Sequence, residues 1–179
     1  MLGIDPGSRI TGYGVVEKLK GGELSRVCDG QVLLNPSVSL PERLLAISNA
    51  IKRIIDEFKP DAMSVESIFF AKNVDSAVKL GEARGIPLLC AASAGVPVYE
   101  YAPRSIKQAV TGYGNATKEQ VQKMIKIFLK TEEGIKPDAA DALAIAICHI
   151  HHFHPGLESK RLSAKNTAVR SRKDDTIAG

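Results

Sequence analysis

Four carboxylates stand beside segments that should be buried, and they constrain the fold more than any other feature of the chain. Asp5 and Glu66 each end a short apolar run, while Asp138 and Asp141 interrupt an apolar, alanine-rich segment. A charge beside buried surface costs several kcal/mol unless it is paired or bound to a metal ion. The pattern therefore indicates a fold in which three distant segments bring these acids together around a divalent cation.

Charge is distributed unevenly along the 179 residues, a length that suits one domain with a full core. Residues 1–157 hold 18 Lys and Arg against 17 Asp and Glu, whereas residues 158–179 hold six basic and three acidic groups. Helical and strand periodicity ends near residue 156. We therefore predict a folded domain over residues 1–157 and a basic, disordered tail over residues 158–179. The charge balance is compatible with a polyanionic partner without requiring one.

The cysteine content and the N-terminus indicate a cytoplasmic protein. The three cysteines, Cys28, Cys90 and Cys148, are widely spaced and form no CxxC pair, which is typical of reduced thiols. The N-terminus lacks the basic and apolar segments of a signal peptide. The longest weakly polar stretch, residues 86–98, is too short to span a bilayer, so we expect no membrane association.

The hydrophobic pattern predicts the element order βββ-α-β-α-β-α-α-α, an α/β arrangement with a mixed sheet covered by helices. Capping boxes at Ser39 and Thr117 and a proline at residue 137 mark three helix starts. The long helix between the fourth and fifth strands is expected to break near Pro87. The predicted strands cover residues 1–5, 11–17, 24–34, 61–66 and 97–101, and the predicted helices cover residues 40–59, 75–94, 104–111, 118–129 and 137–150.

The spacing of the acids suits metal chemistry. Asp138 and Asp141 are three residues apart, so they share one face of the last helix, and the alanines around them let that helix approach a sheet closely. Carboxylate oxygens suit Mg²⁺ or Mn²⁺. Two such ions about 3.5–4 Å apart stabilise both the attacking and the leaving oxygen of a phosphodiester. The alternative for Asp138 alone is that it only stabilises the start of a helix.

Four motifs follow one another along residues 1–152: LGIDPGSRITGYGV (2–15), VESIFFAKN (65–73), DSAVKLGEARG (75–85) and DAADALAIA (138–146). They are similar to the motifs of RuvC-type Holliday-junction resolvases. The resemblance implies a ribonuclease-H-like fold with a mixed five-stranded sheet flanked by helices. It also implies four acidic residues that are both catalytic and metal ligands, and these match Asp5, Glu66, Asp138 and Asp141. Some members of the family have histidine at the position of Asp138.

The same resemblance implies an activity. It is that of a crossover junction endodeoxyribonuclease, which nicks two opposed strands of a four-way DNA junction in recombination and the repair of DNA damage. Two Mg²⁺ ions per active site are implied, with Mn²⁺ as a substitute. The implied partners are a second copy of the chain, which contacts the first through the helix after Asp75, and the RuvA and RuvB branch-migration proteins.

The resemblance also implies DNA contacts by Phe69, Lys107 and Lys118. Phe69 would stack on an unpaired base, although a phenylalanine is more often a core residue. Lys123, Lys126 and Lys130 share a helix face. This pattern fits a solvent-exposed surface as well as it fits a DNA-binding one.

The four histidines at positions 149, 151, 152 and 154 have two explanations. They could form a transition-metal site, or they could be ordinary residues at a helix end, where imidazole suits the helix dipole.

Other functions of related folds stay open at this point. A nuclease of the same fold that processes RNA would use the same acids, and a junction-binding protein without catalysis would keep the basic residues. An actin-like ATPase would require a second lobe and a second phosphate loop, for which the chain has no room.

Overall fold

A five-stranded mixed sheet forms the centre of the computed structural model, which describes residues 1–67, 74–132 and 134–153. The strands are β1 (Leu2–Asp5), β2 (Ile10–Lys18), β3 (Leu24–Leu33), β4 (Met63–Glu66) and β5 (Val98–Tyr101). They lie in the order β3-β2-β1-β4-β5. The first three strands pair antiparallel, and β1-β4 and β4-β5 pair parallel.

Helices cover both faces of this sheet. They are α1 (Leu40–Phe58), α2 (Val74–Ser93), α3 (Pro103–Thr111), α4 (Lys118–Phe128) and α5 (Pro137–His152). Side chains such as Leu2, Ile4 and Val65 form one core with α1 and α2, and Val16 and Leu24 join a second core with α3, α4 and α5. The predicted element order and mixed sheet are therefore confirmed, with ends that agree within two residues.

The predicted break in α2 is wrong, because the helix continues through Pro87. A proline inside a helix removes one backbone hydrogen bond and strains the preceding turn. Pro87 is itself buried, and Ala83 and Cys90 on either side of it are 1% and 3% exposed. Packing along this buried face offsets the local penalty and keeps the helix continuous.

All three cysteines carry free thiols, as the sequence predicts. Among the described helices, none combines the length and the apolar character that a membrane crossing requires.

The backbone of α5 lies directly against the sheet because glycines replace side chains beneath it. A Cβ atom on Gly3 would lie 2.0 Å from the carbonyl oxygen of Ala142, and one on Gly12 would lie 2.0 Å from the carbonyl oxygen of Asp138. Real Cβ atoms do not approach oxygen this closely. The two glycines therefore set the distance between α5 and the sheet.

Side-chain size increases across the sheet beneath α5. Gly3, Ser64 and Tyr99 are paired neighbours on β1, β4 and β5. The Ser64 hydroxyl donates a hydrogen bond of 3.1 Å to the Ile145 carbonyl, and the Tyr99 ring lies 4.4 Å from the His149 ring between centroids. The first half of α5 consequently lies closest to the sheet, over β1 and β2.

We expect Gly3→Ala to lower the free energy of unfolding by about 1–3 kcal/mol, the usual cost of inserting a methylene into a packed core. Urea denaturation would measure the change. Gly85→Ala is the matched control, because a Cβ there meets no atom within 4 Å. It should leave stability unchanged or raise it by up to about 1 kcal/mol. Equal stability of Gly3→Ala and wild type would contradict the contact.

Candidate active site

Two of the four carboxylates lie at the ends of neighbouring parallel strands. Ile4 pairs with Val65 in the β1-β4 register, so Asp5 and Glu66, which follow them, are neighbours at one edge of the sheet. Both residues are half-buried. Alternation along the strands directs them to the same side of the sheet as Gly3, which is the side that α5 covers.

The other two carboxylates lie in the first turns of α5. Asp5 pairs with Gly12 across β1 and β2, and Gly12 contacts the backbone of Asp138. The glycine contact thus brings the start of α5 over the strand end that carries Asp5. Asp141 lies one turn further along the same helix face.

Gln31 on β3 is a site residue that the sequence analysis missed. Its side-chain amide donates a hydrogen bond of 2.5 Å to Oδ2 of Asp138. The two residues are 107 positions apart in the chain. No local pattern marks Gln31, because its position follows from the β2-β3 register.

The four carboxylates influence one another electrostatically. The pKa of Asp5 is raised to about 7, mainly because the carboxyl is buried. The negative charges of Asp141, Glu66 and Asp138 contribute the rest of the rise. Burial also raises the pKa of Glu66, with a further contribution from Asp141. Glu66, Asp138 and Asp141 therefore all lie within electrostatic reach of Asp5.

Both predicted lysines lie near these acids. Nζ of Lys118, the first residue of α4, lies 2.6 Å from Oδ2 of Asp141. This hydrogen bond raises the pKa of Lys118. The positive charge of Lys107 on α3 lowers the pKa of Glu66, against the larger effect of burial. Positive charge thus reaches the acids from two helices.

The site fits a hard divalent cation by its chemistry. Its donors are carboxylate oxygens. The pKa of Asp5 is raised mainly by burial and further by three neighbouring carboxylates, and a bound cation would oppose both effects. Across residues 1–67, 74–132 and 134–153, no three Asp, Glu, His or Cys side chains converge closely enough to chelate an ion. Lys118 instead supplies a cation to Asp141. The role of the four acids as metal ligands stays a prediction.

The histidines in the described part of the chain bind separate partners. His149 shares a hydrogen bond of 2.9 Å with the Tyr101 hydroxyl. His151 Nδ1 lies 2.9 Å from the Ala109 carbonyl oxygen. His152 Nδ1 lies 2.8 Å from the carbonyl oxygen of Cys148, four residues earlier in the same helix. Within this part of the chain they form no metal group.

Two predictions concern residues that the structure does not describe. Phe69, the proposed stacking residue, and the basic tail over residues 158–179 both lie outside the described residues, as does His154.

The sheet order and the acids at its edge define the fold of ribonuclease-H-like nucleases. The family model described as crossover junction endodeoxyribonuclease RuvC matches residues 1–149. The chain belongs to this family, which comprises metal-dependent nucleases. The protein of that name from Geobacter sulfurreducens is 50% identical over 149 residues, 83% of this chain and 90% of the relative. The one from Chloroflexus aggregans is 50% identical over 151 residues, 84% and 92% of the two chains.

Solved structures agree with this assignment. RuvC of T. thermophilus in complex with a Holliday junction substrate has a TM-score of 0.80 and 38% identity, covering 84% of this chain and 92% of the other. The yeast mitochondrial Holliday junction resolvase Ydc2, covering 84% and 78%, has a TM-score of 0.60 and 12% identity. The second comparison supports the fold alone.

Asp5→Asn should stabilise the metal-free protein at pH 8 and do so much less at pH 5. The carboxyl keeps its proton up to about pH 7 in the folded chain but ionises near its ordinary value of 3.8 in the unfolded chain. The free energy of unfolding therefore falls as pH rises from the unfolded-state pKa to the folded-state pKa of Asp5. Above the folded-state pKa the ionised, buried carboxylate destabilises the fold fully. Thermal melts in EDTA at the two pH values test this. Asp56→Asn, at an exposed position on α1, is the control. A Tm gain that does not depend on pH would contradict the electrostatic cause.

Lys118→Met should bind Mn²⁺ more tightly than wild type, by roughly tenfold if about 1.4 kcal/mol of competition is removed. The ammonium and a metal ion would both require Oδ2 of Asp141. Calorimetry without DNA measures the affinity. Lys123→Met, on the exposed face of the same helix, is the control. Equal affinities for Lys118→Met and wild type would show that the lysine does not compete.

Proposed function

We propose that this chain resolves four-way DNA junctions by hydrolysing one phosphodiester in each of two opposed strands, with Mg²⁺ as its cofactor. The observation that carries the proposal is the cluster of four carboxylates at one sheet edge, held there by the glycine contacts of α5. Such a cluster beside two lysines suits a phosphodiester substrate. The family and its junction-bound T. thermophilus member support a DNA junction as that substrate.

The residues that would hold the metal are Asp5, Glu66, Asp138 and Asp141. When bound, divalent ions stabilise the attacking and leaving oxygens of a phosphodiester. Gln31 fixes the orientation of Asp138 through its amide hydrogen bond. Such outer partners of metal ligands typically change affinity or activity by about 10–100-fold.

Lys107 and Lys118 would position the DNA backbone. Their charges lie beside Glu66 and Asp141, so a phosphate that they hold is also next to the acids. Contacts to phosphate fix the register of the DNA without reading its sequence. Phe69 would contact an unpaired base, a role that rests on the family resemblance.

A homodimer is the proposed working unit. Val78 and Leu89 on α2 are 54% and 63% exposed, although Ala83 and Cys90 on the same helix are buried. A second copy of the chain would cover Val78 and Leu89. Two-fold symmetry also matches a four-way junction, since each active site then faces one of two opposed strands. RuvA and RuvB as partners and a cytoplasmic location complete the proposal.

Neutralising any one of Asp5, Glu66, Asp138 and Asp141, in variants such as Asp5→Asn, should reduce junction cleavage by more than about 100-fold, since even outer partners of metal ligands cost about 10–100-fold. Junction binding should persist, because less negative charge then repels phosphate. Asp56→Asn is the control and should cleave like wild type.

The assay uses a synthetic four-way DNA junction and an RNA hairpin, each with and without Mg²⁺. Wild type should nick two opposed strands of the junction only when Mg²⁺ is present. Cleavage of the RNA hairpin alone would replace the proposal with RNA processing. Full cleavage by two of the neutralised variants would show that the site is wrong.

A further inference from the structure

One exposed aromatic side chain lies on the loop that joins the two helices carrying Lys107 and Lys118. This loop, residues 112–117, connects α3 to α4. Tyr113 on it is 50% exposed. The charge of Lys107 acts on Glu66 and Lys118 is bonded to Asp141, so the loop joins two helices that both reach the acids.

The loop is anchored on both sides of Tyr113. The Thr111 hydroxyl lies 2.9 Å from the Tyr113 carbonyl oxygen and 3.4 Å from the Tyr113 nitrogen. Gly112 adopts a φ of +89°, which glycine accepts without strain. Ala116 is 1% exposed and belongs to the core formed with α5. The backbone therefore holds Tyr113 in a defined place.

Gly114, which follows Tyr113, packs the loop against α3. A Cβ atom on Gly114 would lie 2.3 Å from Cγ of Arg104, so the loop backbone lies directly on this side chain. Arg104 is in the first turn of α3, three residues after Tyr101, which pairs with Glu66 on the neighbouring strand. The contact holds the loop close to the sheet edge that carries the acids.

The Tyr113 ring has no evident structural role within the described part of the chain. Among the described residues, none pairs with the Tyr113 ring or forms a hydrogen bond with its hydroxyl. A single exposed tyrosine is ordinary on a protein surface. A tyrosine on an anchored loop that joins two lysine-bearing helices has a specific consequence. Lysines bind phosphates, and an aromatic ring on the loop that joins them can stack on a base.

We propose that Tyr113 is a further DNA-contacting residue, whose ring stacks on an unpaired base next to the phosphate that is cut. The inference rests on the proposed function, because helical stacking is interrupted at the centre of a four-way junction and base faces become accessible there. Stacking uses the face of the ring, so the hydroxyl is not required. The contact positions the scissile strand and does not depend on which base is present.

The test places 2-aminopurine at single positions around the cut in a synthetic four-way junction, since stacking changes the fluorescence of this base. Wild type should quench it at one such position in EDTA. Tyr113→Ala should lose that quenching and slow single-turnover cleavage in Mg²⁺ by roughly 5- to 150-fold, the equivalent of one stacked base. Tyr113→Phe should retain both. Ile127→Ala, which removes a 57% exposed apolar side chain from α4, should change neither.

The outcomes separate this inference from the proposed function. If wild type cuts the junction and Tyr113→Ala cuts it equally fast, the inference is wrong and the function stands. A loss in Tyr113→Phe as large as in Tyr113→Ala would show that the hydroxyl matters and would overturn stacking. A strongly lowered Tm of Tyr113→Ala would show that the ring packs in the fold, which also overturns it. If wild type cuts no junction, the proposed function fails first.

Discussion

The contact between α5 and the two central strands is the constraint on which the rest of the structure depends. Gly3 and Gly12 leave no side chain between helix and sheet, so backbone meets backbone. This contact carries Asp138 and Asp141 to the sheet edge where Asp5 lies. A Cβ atom on either glycine would push α5 away from the sheet and so displace Asp138 and Asp141. The geometry of the site therefore depends directly on how closely this helix packs.

Bringing four carboxylates together is unfavourable for the folded chain. The raised pKa of Asp5 records this cost, since burial and three like charges all oppose its ionisation. Lys118 offsets part of it through its hydrogen bond to Asp141. A divalent cation would offset more, because it places two positive charges among oxygen donors. The proposed metal ion would therefore compete with Lys118 for Asp141.

The supporting elements divide the work between the two faces of the sheet. The α5 side holds the acids, and α3 and α4 on the same side bring Lys107 and Lys118 to them. The opposite side carries α1 and α2, with the exposed Val78 and Leu89. The exposed residues of the proposed dimer contact thus lie on the opposite face of the sheet from the acids.

The sequence by itself determined the element order, the mixed sheet and the four acids, because periodicity, caps and motif spacing are local signals. Only the tertiary structure decided that Gln31 bonds Asp138, that Lys118 bonds Asp141 and that Tyr113 sits on an anchored loop between the two lysines. It also decided that α2 continues through Pro87, where local propensity predicts a break. The bonds to Asp138 and Asp141 join residues distant in the chain, and the continuity of α2 depends on burial of a whole helix face. The loop of Tyr113 is held by its neighbour Thr111 and also by packing against Arg104 and the α5 core. Tertiary packing of this kind leaves no pattern in a local window.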